Sequence, residues 1–107
     1  MGATVADITI KLIGPDLASR KTAAIERHKL LGHAAAGNKV VVDLSDVVSV
    51  SYSYGDELFG VLAAVQGWDW LSKTVRLEGA NEHVLRVIAE VINRRLKEIG
   101  QPVAKSA

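Results

Sequence analysis

The residues best suited to chemistry lie in one short stretch, "SYSYGDE", at positions 51–57. Its hydroxyl groups can accept a phosphoryl group, contact an anion or cap the first turn of a helix. Asp56 and Glu57 follow the hydroxyl groups directly, and carboxylates can act as general acids or bases. The stretch is therefore consistent with a phosphorylation site, an anion site or a helix cap.

A helix cap is the interpretation that we favour for these hydroxyl groups. Ser53 stands three residues before Asp56, which is close to the spacing of a capping box. A helix N-terminus also attracts phosphate, because its free N–H groups and the helix dipole are positive there. However, two carboxylates in the first helical turn would repel a phosphoryl group on Ser51 or Ser53. Adjacent helix positions do not face each other, so we do not expect the two carboxylates to act on one substrate atom.

Three further residues are candidates outside this stretch. Asp43 ends an apolar run, and ligands of open α/β sheets gather at the carboxyl ends of strands. We favour the simpler role, a hydrogen bond that orders the next loop. Trp68 and Trp70 lie in "GWDW", which we interpret as a turn in which they share one face. They would either cover the edge of the core or form an interface with a partner.

Composition and motifs exclude several classes of function. Cysteine is absent, which excludes disulfides, thiol catalysis and thiolate metal ligands. The histidines lack metal-ligand spacing, and neither a phosphate-binding loop nor a nucleophile elbow occurs. The 107 residues carry a formal net charge of +1, which gives no attraction to nucleic acid. We therefore expect no catalytic residues, no cofactor and no metal.

The location of the protein is also suggested by what the sequence lacks. No apolar stretch approaches the ~18 residues of a membrane span, and the first residues do not form a signal-peptide pattern. We expect a cytoplasmic protein that binds neither membrane nor nucleic acid.

The elements that must position the candidate residues alternate between strand and helix. "DITIKLI" at 7–13 predicts a half-buried strand, "KVVVDLS" at 39–45 a central strand, and "TVRLEG" at 74–79 a third. A further strand near "ATVA" at 3–6 is considered. Strand–helix–strand crossovers of this kind predict an open sheet with helices packed on it.

Three helices are predicted between and after these strands. The first covers residues 20–35 after a Ser19 cap, and the second begins near Tyr54 and closes at Gly67. The third begins after an Asn81 cap, and its inward face is expected to comprise Leu85, Ile88, Ile92, Leu96 and Ile99. We predict one domain over residues 1–100 and a flexible tail over 101–107.

The centre of the chain resembles the STAS-like domains of unknown function, which are relatives of the bacterial anti-sigma-factor antagonists. In that family an apolar strand ends in Asp and leads through spaced apolar, small polar and aromatic residues to "D-E" and an apolar helix. The corresponding residues here are Asp43, Val47, Val50, Ser51 to Ser53, Tyr54, Gly55, Asp56 and Glu57. An "L-x-S-R" pattern that often precedes the first helix corresponds to Leu17, Ala18, Ser19 and Arg20.

The resemblance implies a fold and a class of function. The fold would be a small α/β domain with a mixed sheet of about four strands and helices packed mainly on one face. The function would be a non-enzymatic regulatory module that binds a protein such as a histidine-kinase-like ATPase or an anti-sigma factor. The partner-binding or regulatory residues would lie between Ser51 and Glu57. A small-ligand sensor, which binds a nucleotide or other anion at the same helix N-terminus, is the alternative.

The resemblance also bears on two individual residues. The family pattern includes both the position of Arg20 and the "D-E" pair, so we expect a salt bridge from Arg20 to Asp56 or Glu57. The better-known antagonists carry a phosphorylated serine at the position of Tyr52, so phosphorylation does not follow directly from the resemblance.

Overall fold

The computed structural model of the protein describes residues 7–101, which form one α/β domain. Three strands form a parallel sheet in the order β1 (Asp7–Lys11), β3 (Lys39–Asp43) and β5 (Val75–Glu78). Two shorter strands, β2 (Asp16–Leu17) and β4 (Ser49–Val50), pair in parallel with each other. The α/β class and the central position of β3 are therefore confirmed.

The sheet differs from the expectation in two respects. Every strand pairing within residues 7–101 is parallel, so this part of the sheet does not show the expected mixed character. The pair of two-residue strands was not predicted, because segments this short have no detectable alternation of apolar and polar residues. The strand considered near residues 3–6, and the tail from residue 102 onward, lie outside the described residues.

Two long helices match their predicted starts. Helix α1 (Arg20–Ala35) has the predicted bounds, and its Ser19 cap accepts a hydrogen bond from the Thr22 N–H at 3.2 Å. Helix α5 (Glu82–Glu98) is capped by Asn81, whose side chain accepts from the Val84 N–H at 2.8 Å.

Between these two helices the chain forms a helix with an irregular centre. Helix α2 (Tyr52–Gly55) runs without interruption into a π-helical segment (Asp56–Gly60) and then into α3 (Val61–Gln66). A π-helical turn inserts an extra residue into an α-helix and is frequent at functional sites. Nothing in the apolar periodicity predicted this turn.

The predicted turn at "GWDW" is wrong, because α4 (Trp68–Thr74) occupies it. Gly67, with a φ of 85°, is the one residue that interrupts the helical conformation between α3 and α4. The backbone N–H of Trp68 is bound by the side-chain oxygen of Gln101 at 3.2 Å. Because Gln101 lies 33 residues after Trp68 in the sequence, no local pattern could predict that a helix starts here.

The inward face of α5 was predicted only in part. Leu85 and Ile99, predicted to face the core, are 45% and 43% exposed. The predicted apolar face begins at Leu85, which is one residue too late. A shift of one residue rotates a side chain by about 100° around the helix axis. The buried face comprises Val84, Val87, Ile88, Val91, Ile92 and Leu96.

The core joins the central strand to the helices. Val40, Val41 and Val42 of β3 are all buried, as the apolar run predicts. Val40 and Val42 belong to a cluster that includes apolar residues of the 52–66 helix and of α5. No helix within residues 7–101 has the length and hydropathy needed to cross a membrane.

Candidate functional site

The candidate site begins where β4 leads directly into α2. Ser51, rather than the predicted Ser53, caps the helix, because its Oγ atom accepts a hydrogen bond from the Tyr54 N–H at 3.0 Å. The same hydroxyl group donates to the carbonyl of Ala18 at 3.2 Å. Ser53 lies inside the first turn of the helix and is exposed. The helix thus starts two residues earlier than the capping-box spacing indicated.

The N-terminal ends of α1 and α2 lie side by side. Each helix follows one strand of the short β2–β4 pair, and each is capped by a serine. The Ser51 N–H donates to the carbonyl of Leu17 at 2.8 Å, which fixes the spacing of the two helix starts. Tyr52 and Ser53, which directly follow the Ser51 cap, are exposed.

Asp56 is the centre of a charged cluster beneath this surface. Arg95 of α5 binds it with a two-pronged contact, Nε to Oδ1 at 2.8 Å and Nη2 to Oδ2 at 2.7 Å. Arg20 approaches the Oδ2 atom with its Nη1 atom at 3.4 Å. The Asp56 side chain is only 12% exposed, so the two arginines satisfy a carboxylate that water hardly reaches.

Glu57 extends the cluster toward α1. Arg20 donates to Oε1 at 3.2 Å, and Arg27 donates to Oε2 at 2.6 Å. Arg27 also donates to the backbone carbonyl of Glu57, in the π-helical segment. The predicted salt bridge of Arg20 to the "D-E" pair is therefore confirmed for both carboxylates. Neither carboxylate lies in the first helical turn, where they were predicted to repel a phosphoryl group.

Gly60 provides the space that this arrangement needs. It lies four residues after Asp56, at the end of the π-helical segment. A Cβ atom at position 60 would overlap the Oδ1 atom of Asp56 and would lie 3.2 Å from Cγ of Arg95. The absence of a side chain at Gly60 thus lets the guanidinium group of Arg95 reach the carboxylate.

The arginines keep both carboxylates ionised. The hydrogen bond from Arg95, followed by the contributions of Arg20, lowers the pKa of Asp56 below its usual range despite partial burial. The hydrogen bond from Arg27, again supported by Arg20, lowers the pKa of Glu57. A carboxylate with a low pKa and occupied oxygens is a poor general acid or base. The cluster is suited to fastening α1 and α5 to the 52–66 helix.

The two tyrosines of the stretch have different surroundings. Tyr52 is 48% exposed, and its hydroxyl group donates to the carboxylate of Glu90 on α5, which raises the pKa of Tyr52. Tyr54 is 2% exposed, and burial raises its pKa to about 12. Tyr54 is therefore a core residue whose ring offers a partner almost no surface, whereas Tyr52 is accessible.

The remaining predicted residues lie apart from the cluster. Asp43 accepts the Ser45 N–H at 2.9 Å, which is the hydrogen bond expected to order the next loop. Hydrogen bonds from the Ser45 side chain and then from its backbone lower the pKa of Asp43. Trp70 packs against the core, while Trp68 is 38% exposed at the edge of an apolar cleft of about 120 Å³. Because both tryptophans lie on α4, they do not share one face of an extended chain as predicted.

Arg27, Glu90 and Arg95 were not predicted as site residues. The side chain of Arg95 is only 31% exposed. The sequence did contain a signal, since Arg95 lies three residues after Ile92 and thus on the apolar side of the helix. Arg27 lies seven residues after Arg20, which places both on one face of α1.

Among residues 7–101, no group of three or more His, Asp or Glu side chains is placed to hold a metal ion. Comparison of the chain with protein-family models, with curated proteins and with solved structures found no match.

Proposed function

We propose that the protein is a non-enzymatic, cytoplasmic regulatory module of the STAS-like type that binds a protein partner through the first turn of α2. The observation that carries the proposal is the contrast within one helix. Tyr52 and Ser53 are exposed, whereas the carboxylate of Asp56, four residues after Tyr52, is bound by arginine side chains. A rigid turn with accessible side chains suits recognition, because little conformational entropy is lost on binding.

The state of the charged groups favours binding over catalysis. Each carboxylate of the cluster contacts two arginines, and its lowered pKa keeps it ionised. A catalytic carboxylate needs a free oxygen and a pKa near the working pH. The cluster lacks both properties, so we assign it a supporting role beneath the binding surface.

The proposal includes regulation by phosphorylation, with Ser53 as the acceptor. Ser51 is a poor acceptor, because its hydroxyl group caps the helix and donates to Ala18. Ser53 is exposed in the first turn, where the helix dipole stabilises a phosphoryl group. Repulsion from Asp56 and Glu57 is weak here, because three arginines balance their charge.

The proposed partner is a histidine-kinase-like ATPase or an anti-sigma factor, as the resemblance implies. The finer STAS-like features, helices mainly on one face and a mixed sheet, belong to the same proposal. The exposure of Thr9 and Arg76, which flank Val41 on the sheet face opposite Val40 and Val42, is consistent with such an arrangement.

Affinity purification of the tagged chain from its native host, followed by intact-mass measurement, tests the proposal. The wild type should retain one ATPase or anti-sigma-type protein, and the Tyr52→Ala/Ser53→Ala double variant should lose it without unfolding. Ser72→Ala is the matched control, because Ser72 is an exposed serine of another helix. Equal retention of the partner by all three chains would contradict the proposed surface.

A small-ligand sensor remains the second candidate, because a cleft of about 250 Å³ opens beside the start of α1. It is lined by Asp16, Leu17, Ala18, Ser19, Thr22 and Tyr54. The Asp16 carboxylate disfavours an anion there, which ranks this candidate second. A rise in melting temperature with nucleotide or phosphate, abolished by Thr22→Leu in the cleft, would favour the sensor over the protein-binding module.

A further inference from the structure

The cleft beside the start of α1 combines three features of a ligand site, which are a helix N-terminus, a carboxylate and a buried hydroxyl group. It has a volume of about 250 Å³ and is named here the α1 cleft. Its lining comprises Asp16, Leu17, Ala18, Ser19, Thr22 and Tyr54. Sites that hold drug-sized ligands measure roughly 300–1,000 Å³, so the α1 cleft suits a smaller molecule.

The buried hydroxyl group is that of Tyr54. The residue is 2% exposed, and within residues 7–101 its Oη atom takes part in no hydrogen bond, since the bond to Ser51 is made by the backbone N–H. No side-chain N or O atom sealed from solvent in this part of the chain lacks a partner, so the Oη atom must touch solvent. Because Tyr54 lines the α1 cleft, we place this contact in the cleft. Burial, and then the charge of Glu26, raises the pKa of Tyr54 to about 12, so the hydroxyl group is a donor at neutral pH.

The first turn of α1 gives the cleft a positive end. Ser19 accepts the N–H of Thr22, but the backbone N–H groups of Arg20 and Lys21 have no partner in the part of the chain that the structure describes. No acidic residue lies in this turn to balance the helix dipole. Unpaired N–H groups and the dipole of a 16-residue helix stabilise a negative group placed at its start. This turn can therefore bind a carboxylate.

Asp16 gives the same cleft a negative charge. One of its oxygens accepts the hydroxyl group of Ser49 at 2.6 Å, and the other has no partner within residues 7–101. The side chains nearby that carry charge are engaged elsewhere. Arg20 belongs to the charged cluster around Asp56, and Glu26 pairs with Lys29 at 3.7 Å. The exposed Asp16 carboxylate is therefore available to an ammonium group.

We propose that the α1 cleft binds a free α-amino acid, whose ammonium group contacts Asp16 and whose carboxylate contacts the first turn of α1 and the hydroxyl group of Tyr54. An amino acid fits better than phosphate, because Asp16 repels an anion that carries no positive group. It also fits better than a nucleotide, which exceeds the size of the cleft. The inference goes beyond the protein-binding module, and it replaces the anion of the sensor candidate by a zwitterion.

The test measures the binding of free amino acids to the full chain. The melting temperature is recorded with each proteinogenic L-amino acid at about 10 mM, and isothermal titration calorimetry gives the dissociation constant of those that raise it. The best ligand is then compared with its N-acetyl derivative, which lacks the ammonium group, with its methyl ester, which lacks the carboxylate, and with inorganic phosphate. We expect at least one amino acid to bind with a Kd below about 1 mM, and both derivatives and phosphate to bind about tenfold more weakly or worse.

Two substitutions test the contacts one by one. Asp16→Asn keeps an acceptor for Ser49 but removes the charge, so it should weaken the binding of the amino acid by about tenfold or more. Tyr54→Phe removes a hydroxyl group that has no partner in the fold, so it should keep the melting temperature of the free chain and weaken binding by about threefold or more. Asp69→Asn is the matched control, because Asp69 is an exposed aspartate of α4 outside the cleft, and its affinity should stay within about twofold of the wild type. NMR chemical-shift changes on binding should include Thr22 and Tyr54.

Several results would overturn the inference. These are a Kd above about 1 mM for every amino acid, equal binding of the N-acetyl derivative, full affinity in Asp16→Asn, or an equal loss of affinity in Asp69→Asn. Binding of phosphate without binding of any amino acid would also overturn it, and would favour the anion sensor. Failure of the proposed function is separate, because it appears as the absence of any partner in the purification from the host, which the titration of the isolated chain does not involve.

Discussion

Two polar contacts join the 52–66 helix to α5, and they differ in burial. Asp56 and Arg95 form a two-pronged ion pair with side-chain exposures of 12% and 31%. Tyr52 and Glu90, one turn nearer the start of the helix, form a single hydrogen bond in which the tyrosine is 48% exposed. The same two elements are thus joined by an inner contact and an outer contact.

The difference indicates a division of roles along the helix. Removing one partner of a buried ion pair leaves the other charge without solvent or a counter-charge, which strongly lowers the free energy of unfolding. Breaking an exposed hydrogen bond costs little, because water replaces the lost partner. The inner contact is therefore expected to hold the fold, while the outer contact can open at little cost, as the proposed binding surface requires. The predictions below separate the two contacts.

The largest effect is expected from Asp56→Asn. This substitution keeps the size of the side chain but leaves the guanidinium group of Arg95 without its counter-charge, which should lower the free energy of unfolding by roughly 2–3 kcal/mol. Chemical denaturation measures the change. In the Asp56→Asn/Arg95→Gln double variant the two effects should not add, because the same contact is lost in both. Full additivity would show that the pair is not coupled.

A comparable effect is expected from a single methyl group at Gly60. Gly60→Ala places its Cβ atom against the Asp56 carboxylate and should cost about 1–3 kcal/mol. Gly55→Ala is the matched control, because its Cβ atom would meet Val87 at an ordinary 3.5 Å and alanine is the better helix former. We expect that control to be neutral or stabilising by up to about 1 kcal/mol. Equal losses at both positions would refute the special role of Gly60.

A dependence of stability on pH should follow from the lowered pKa values of Asp56 and Glu57. Their ordinary values are 3.8 and 4.5. Below these pH values the two carboxylates of the unfolded chain bind protons, while the same carboxylates in the folded chain remain ionised. The free energy of unfolding therefore falls as the pH falls. The stabilisation should be fully present above about pH 5. It should be lost as the pH drops through the pKa values of the two carboxylates in the folded state, which lie below their ordinary values. Unfolding curves recorded at a series of pH values measure this loss.

The control for this dependence is Arg95→Gln. Removing the guanidinium group takes away the main cause of the low pKa of Asp56, so the stability of this variant should change less steeply below pH 5. An unchanged slope would show that other carboxylates cause the acid sensitivity.

The sequence predicted the elements of the fold better than their details. The apolar run of β3 and the Ser19 cap of α1 are strong local signals. Helix α1 has the predicted bounds, whereas β3 ends at Asp43, two residues before the end of the strand predicted over 39–45. Helix α4 was missed because its cap, the side chain of Gln101, is distant in sequence. The exposure of Leu85 was missed. Adjacent helix residues differ by about 100° in their direction around the helix axis, and a short apolar pattern does not show which of two adjacent residues faces the core.

The contacts of the charged cluster were predicted only in part. The "D-E" pair and Arg20 were found through the resemblance, and they are in contact. The π-helical turn and the contact of Arg95 depend on packing between elements far apart in sequence, which no local pattern contains. The position of Ser51 as the cap depends on its hydrogen bond to Ala18, which is also a contact between distant segments.

The smallest effect on stability is expected at the outer contact. Glu90→Gln removes the charge that binds the hydroxyl group of Tyr52, so the pKa of Tyr52 should fall back toward its ordinary value of 10.0. An NMR titration of the two tyrosine rings measures this change, and Tyr54, with its pKa of about 12, is the reference within the same molecule. The melting temperature at neutral pH should not change measurably, because the contact is exposed. A loss of stability as large as that of Asp56→Asn would mean that both contacts hold the fold, and the outer contact would then not be free to open for a partner.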